Sequence, residues 1–328
     1  MAMTQQDYLN RYGYLLLVIP PLIVVQLAAV LFERSIDPTL PLAEHLRQQV
    51  SANPQLDPSQ IFIEARARYT WFALALLAIV VPITAAVVSL MIILRSATRA
   101  QVLTMSLFGL FLAAGSLAYT FASPSLEEMI YGYTYEALSV SGRFSETFLQ
   151  RVFEIIVTIN VIAAIVPVIM LLGACSTLAP RSLAQSGDPK DCADRMRHLK
   201  EILNASSVYL VFGIFHMGAW LQWPAALATD QKLGHALTEL ARAITIYWGV
   251  CFTLIIAATY APAALFLHLR ARRLIIEQAL TDPDRWLSEH ELSMTLGKQL
   301  PQLVIMLGPI FAGPLSALLP GAHGFGPA

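Results

Sequence analysis

The chain has 328 residues, 56% of them apolar and only 13% charged, with a mean hydropathy of +0.61, whereas soluble domains carry about 25% charged residues. Its 21 basic and 22 acidic residues give a formal net charge of -1, so no overall basic field exists to hold nucleic acid. The long apolar runs also leave no segment able to build a soluble catalytic domain, and the composition reads as an all-α, polytopic membrane helix bundle.

A bilayer core about 30 Å thick needs roughly 20 mostly apolar residues in a helix, because lipid offers no partner to exposed backbone groups. Six stretches meet this condition: 13–32, 71–94, 102–122, 152–175, 207–224 and 243–267. The first is too long for a signal peptide and is closed by Glu33 and Arg34 rather than by a small-residue cleavage pattern. Placing the N-terminus in the cytoplasm puts 13 Lys and Arg on the inner side and 8 on the outer side, the direction the positive-inside rule favours. Arg66 and Arg68, before the second span, run against it. Residues 1–269 read as a six-helix transmembrane domain and 270–328 as a cytoplasmic, amphipathic then apolar region.

Between the first two spans, Asp57-Pro58-Ser59-Gln60 places a capping residue, a proline at the first helical position and an amide at the third. A helix beginning there and running to Leu94 is about 57 Å long at 1.5 Å per residue, so its first turns stand outside the bilayer. Residues 41–50 suit a short partner, which makes the first outer loop a helical hairpin. On the inner side Asp188-Pro189-Lys190-Asp191 starts another helix, where Asp191 with Arg195 and Arg197 with Glu201 pair at four-residue spacing. That reads as a solvated charged face or as a docking site for a partner protein. At the C-terminus, 303–319 is apolar but short and broken by Gly308, Pro309, Gly313 and Pro314. It reads as a re-entrant, interfacial or seventh segment.

Signatures of known chemistry are missing. Cys175, Cys192 and Cys251 show no paired spacing, and the seven histidines form no His-Glu-x-x-His run; no Gly-x-Ser-x-Gly elbow or phosphate-binding glycine loop occurs. No cofactor, metal or catalytic residue is assigned. The informative feature is the sparse polar content of the spans, since a polar group in hydrocarbon must find a partner or face water. Counting from the span ends, Asn160 and His216 lie about 12 Å below the outer surface, and Gln26, Ser116 and Thr253 fall in the same outer half. Trp220 sits one turn above His216 on the same helix face. The layer reads as an outward-opening pocket lined by Gln26, Asn160, His216, Trp220 and Thr253, or as hydrogen-bond links between packed helices.

Pro20, Pro21, Pro82, Pro167 and Pro262 lie inside spans, where each removes a backbone donor and favours a kink. Trp71, Trp220, Trp223 and Trp248 all fall toward the outer end and read as an interfacial aromatic belt. Arg outnumbers Lys by 17 to 4, which suits a GC-rich bacterial source and hence a bacterial inner membrane. Three functions follow as expectations. The first is permeation or transport of a small neutral or weakly polar solute through the pocket. The second is a non-transporting subunit that binds partner proteins, at the outer hairpin or the inner charged helix, or senses the envelope. The third is an intramembrane enzyme with His216 as base, for which no orienting acid is evident.

Overall fold

The computed structural model describes residues 12–35, 58–122, 132–180, 188–278 and 282–316. Among them there is no strand. A 3-10 turn, Gly13–Val18, leads into α1 (Ile19–Ser35), followed by α2 (Pro58–Ser96), α3 (Arg99–Ala122), α4 (Tyr133–Val140), α5 (Glu146–Leu178), α6 (Pro189–Leu227), α7 (Gln231–Glu277), α8 (Pro283–Glu289), α9 (Leu296–Met306) and α10 (Gly308–Ser316). Among the described residues six helical segments are long and apolar enough to cross a membrane, the first combining the 3-10 turn with α1, and the fold is compatible with an integral membrane protein. The 47 residues of α7 extend about 70 Å, far more than the hydrocarbon needs.

Local chemistry explains where these helices start. The Asp188 carboxylate accepts from the Lys190 backbone N–H at 2.9 Å with Pro189 in the first turn, and Asp230 does the same for Lys232 at 3.1 Å. Each satisfies a donor that the first turn leaves without an intrahelical partner. α2 begins at Pro58 and runs 39 residues without interruption; Asp57 and the expected partner helix at 41–50 lie outside the described residues. Pro82, Pro167 and Pro262 sit inside continuous helices, so none of them ends its span.

The bundle has a near end, where α1 begins, and a far end, where it finishes at Ser35. Small residues set its closest contacts, as expected where lipid removes the hydrophobic drive for helix association. A Cβ on Gly173 of α5 would lie 3.2 Å from both Ser89 of α2 and Ile202 of α6, and one on Gly218 of α6 would lie 2.7 Å from Ser316 and 3.5 Å from Thr245 of α7. The Tyr247 hydroxyl of α7 donates to the Ala28 carbonyl of α1 at 2.6 Å. Two large cores result. The near-end core gathers Cys175, Cys192, Met196, Leu199, Leu267 and Ile275 among others, and the far-end core gathers Phe32, Trp71, Trp220, Trp223 and Leu227. α3 stands at the periphery, burying only Met105 and Gly109.

The C-terminal helices pack along the bundle wall. Tyr260 of α7 donates to Gln299 at 3.1 Å, Ser207 of α6 to the Ile305 carbonyl at 2.6 Å, and Gln222 of α6 to the Ser316 carbonyl at 2.9 Å. Gly249 lies so close to Pro309 that a Cβ would come within 2.6 Å of its carbonyl oxygen. From Ser207 to Gln222 the contacts climb about 22 Å along α6. The opposite face, Leu296, Leu300, Val304, Leu307, Phe311 and Leu315, is exposed at three- and four-residue spacing, as a face turned to lipid requires.

At the near end the charged start of α6 differs from a wholly solvated face. Arg195 is 1% exposed; its Nε donates to Asp191 at 2.6 Å and its Nη1 to the carbonyls of Thr177 and Ala179 at 2.9 and 2.6 Å. The guanidinium thus satisfies carbonyls that the end of α5 leaves open. Arg197 pairs with Asp194 at 2.9 Å instead of Glu201, because three-residue spacing brings side chains together as readily as four.

Candidate functional site

One face of α2 carries Gln60, Glu64, Arg68 and Trp71 at intervals of four, four and three, which aligns them on the same side of a 3.6-residue helix. Opposite stand His216, Trp220 and Trp223 of α6. Trp71 is fully buried, and its ring centroid lies 5.3 Å from Trp220, 5.4 Å from Trp223 and 5.9 Å from His216. Such tilted aromatic contacts hold the rings in fixed orientations.

Above the rings sits a charged cluster. Glu64 is 6% exposed, accepts from the Trp223 indole N–H at 3.2 Å and pairs with Arg68 at 3.4 Å. The Arg68 guanidinium also lies 5.8 Å from the Phe148 ring centroid. Arg143, between α4 and α5, donates to the Leu227 carbonyl at 3.1 Å. Burial pulls Arg143 below the usual guanidinium value, and the nearby Glu64 carboxylate opposes that shift.

Two features bound this file at the far end. The short α4 lies over α6, its Thr134 hydroxyl donating to the Trp220 carbonyl at 3.0 Å, with Tyr133, Ala137 and Leu138 buried beneath it; burial pushes the Tyr133 phenol up. A cleft of about 90 Å³ opens between Gln60 and Ile63 on one side and Ala225, Ala226, Ala228, Thr229 and Gln231 on the other. A water occupies about 30 Å³ of liquid, so the cleft admits a few waters or a small ion. It lies one helical turn above Glu64.

Several buried polar atoms of the file have no hydrogen-bond partner among the described residues: Gln60 Oε1, Arg68 Nε, Trp71 Nε1 and His216 Nε2, together with the Tyr133 hydroxyl under the cap. Buried polar groups are nearly always paired. No three His, Cys, Asp or Glu side chains converge as a metal site among the described residues.

The five residues of the expected pocket are distributed unevenly. His216 and Trp220 meet around Trp71. Asn160 is half-buried on α5; counted from the Gly173–Ile202 contact it lies 13 residues toward the far end and His216 lies 14, so the two share a level. Thr253 is half-buried on α7. Counted from the Gly218–Thr245 contact it lies about 9 Å nearer the near end than His216, with its hydroxyl buried and without a described partner. Gln26 is exposed on the outside of α1, because Ala28, Ala29 and Phe32 form that helix's packed face. The aromatic-belt reading fails for three of its four members: Trp71, Trp220 and Trp223 are at most 2% exposed. They fill the wide far-end core where lipid-facing rings were expected.

Glu64, Arg68, Arg143 and α4 did not emerge from the sequence. Glu64 and Arg68 lie before the apolar run, on the helical turns expected outside the bilayer, and register there only as charge. The signal that reveals them is the 60-64-68-71 spacing continued into the span. No protein-family model, curated protein or solved structure matches the chain.

Proposed function

We propose that this protein is a non-enzymatic permeation or transport protein of a bacterial inner membrane, oriented with its N-terminus in the cytoplasm and its far end outside. Small solutes enter at the Gln60 cleft and follow the α2–α6 file past Glu64 to the Trp71–His216 level. The supporting observation is the two buried ring nitrogens, Trp71 Nε1 and His216 Nε2, without described partners in rings whose centroids lie 5.9 Å apart. Leaving such groups unmet inside a membrane is costly, and a passing solute or its water completes them.

Cysteine accessibility tests this. In a background with Cys175, Cys192 and Cys251 replaced by Ala, His216→Cys and Asn160→Cys should react with an impermeant thiol reagent added outside, and Thr253→Cys more slowly. Complete protection of His216→Cys in every condition, with the protein shown to be folded in the membrane, would remove the pathway. The covered position of Trp220 beneath α4 supports a second reading, a non-transporting subunit whose capped far end binds a partner. In that case Thr134→Val, which removes the Trp220 contact, lowers partner co-purification and leaves all three engineered thiols unreactive.

A further inference from the structure

The last described helices join the two ends of the bundle. At the near end Lys200 of α6 pairs with Glu291 at 2.8 Å, and a ring nitrogen of His268 on α7 lies 2.8 Å from the Leu292 carbonyl oxygen. Toward the far end Gln222 of α6 donates to the Ser316 carbonyl at 2.9 Å, and the Ser316 hydroxyl lies 3.2 Å from Thr245 Oγ1 of α7. Lys200 and Gln222 stand 22 residues apart, and His268 and Thr245 stand 23. Two helices therefore give the same rise, about 33–35 Å at 1.5 Å per residue, against a hydrocarbon core about 30 Å thick.

Between these anchors the path never turns back. Tyr260, Gly249, Ile246 and Thr245 of α7 meet Gln299, Pro309, Gly313 and Ser316 in that order. Residues 299–316 contain no Asp, Glu, Lys or Arg. The glycines that interrupt the run are where it comes closest to the bundle: a Cβ on Gly308 would lie 2.8 Å from Ser207 Oγ, and one on Gly313 would lie 2.9 Å from the Ile246 Cα. A segment lying in the interface would keep its contacts at one level, and a re-entrant one would return to the level of Lys200.

From this we infer that α9 and α10 form a broken seventh crossing, which carries the chain from the near side of the membrane to the far side. Ser316 then lies across the bilayer from Gly13, in place of the cytoplasmic location expected for 270–328. The crossing also braces the file. Gly218 and Gln222, which meet Ser316, each lie two residues from Trp220, about 200° around the helix, so α10 supports the face of α6 turned away from α2.

Sided thiol labelling tests the crossing. In the background lacking Cys175, Cys192 and Cys251, Lys190→Cys marks the near side and Lys232→Cys the far side, both at exposed positions. Lys298→Cys and His323→Cys report the two ends of the segment. An impermeant maleimide is applied to right-side-out and to inverted membrane vesicles from cells producing each variant. Lys298→Cys should label from the same side as Lys190→Cys, and His323→Cys from the same side as Lys232→Cys, each at least tenfold faster than from the opposite side. Reaction of His323→Cys from the Lys190→Cys side, or from neither side, overturns the crossing. A spin label on Val304→Cys, exposed at mid-segment, gives a second measurement. It should match Leu110→Cys, in the middle of α3, in its preference for oxygen over a nickel chelate as relaxant; the opposite preference places the segment in the interface and overturns the crossing. Unfolding temperature in detergent identifies variants that fail to fold, and Ala328→Cys replaces His323→Cys if that variant does. Because the sides are defined by the two lysine positions, an unreactive His216→Cys removes the permeation pathway and leaves the crossing standing, and a mislocated His323→Cys does the reverse.

Discussion

The two ends of the bundle differ in how they pair their largest buried polar side chains. At the near end Arg195 is buried among aliphatic and sulfur side chains, and the Asp191 carboxylate and two carbonyls of the α5 terminus receive its protons. At the far end an aromatic core surrounds Trp71 and His216, and their ring nitrogens are left open. A buried polar group with partners contributes to the fold, and one without them costs stability and persists where something else completes it. The near end is therefore the structural anchor, and the far end keeps open ring nitrogens at the centre of its core.

Breaking the near end should have the largest effect. Arg195→Met removes the donors to Asp191 and to two carbonyls, and removing one partner of a buried pair costs about 3–5 kcal/mol; thermal unfolding in detergent measures it. Next is the seam that holds the C-terminal helices. Gly249→Leu drives a side chain into the Pro309 carbonyl, with an overpacking cost of about 1–3 kcal/mol and faster protease cleavage between α8 and α10. At the far end the sign reverses: His216→Phe removes an unsatisfied nitrogen at similar volume, and stability should change by less than about 1 kcal/mol or rise. A loss as large as that of Arg195→Met would erase the contrast between the ends. The smallest effect belongs to the near-end surface, where the hydrogen bond and charge of Lys200, 2.8 Å away, hold Glu291 below the ordinary carboxylate value of 4.5. A lowered carboxylate stabilises the fold above its unfolded value and loses that contribution as pH falls through the folded one. Glu291→Gln should accordingly flatten the acid limb of the stability profile below about pH 4.5.

The spans and two of their starts were legible because they depend on local chemistry. Apolar runs of this length have few alternatives to a membrane helix, and the Asp188-Pro189 signal works within one turn. Depth was partly legible: Asn160 and His216 do share a level, since rise per residue is constant along a helix. Rotation was not. Gln26 looked equivalent to His216, but α1 is apolar on every side, and lipid is as good a neighbour for leucine as another helix is, so nothing in that run marks its packed face. α4 escaped notice because its eight residues are too few for a periodic signal, and Glu64 because its burial comes from Trp223, 159 residues away in the chain.

What the residues alone determined is the number of long apolar helices, the positions of the Asp-Pro starts and the lack of any metal or nucleophile signature, all of which follow from contacts within a few turns. The tertiary structure decided which polar groups meet: the Arg195 cap on α5, the climb of the C-terminal helices along α6 and α7, and the polar and aromatic file between α2 and α6. Those depend on helix rotation and on pairings far apart in sequence, which a bilayer leaves to close packing and hydrogen bonding between helices.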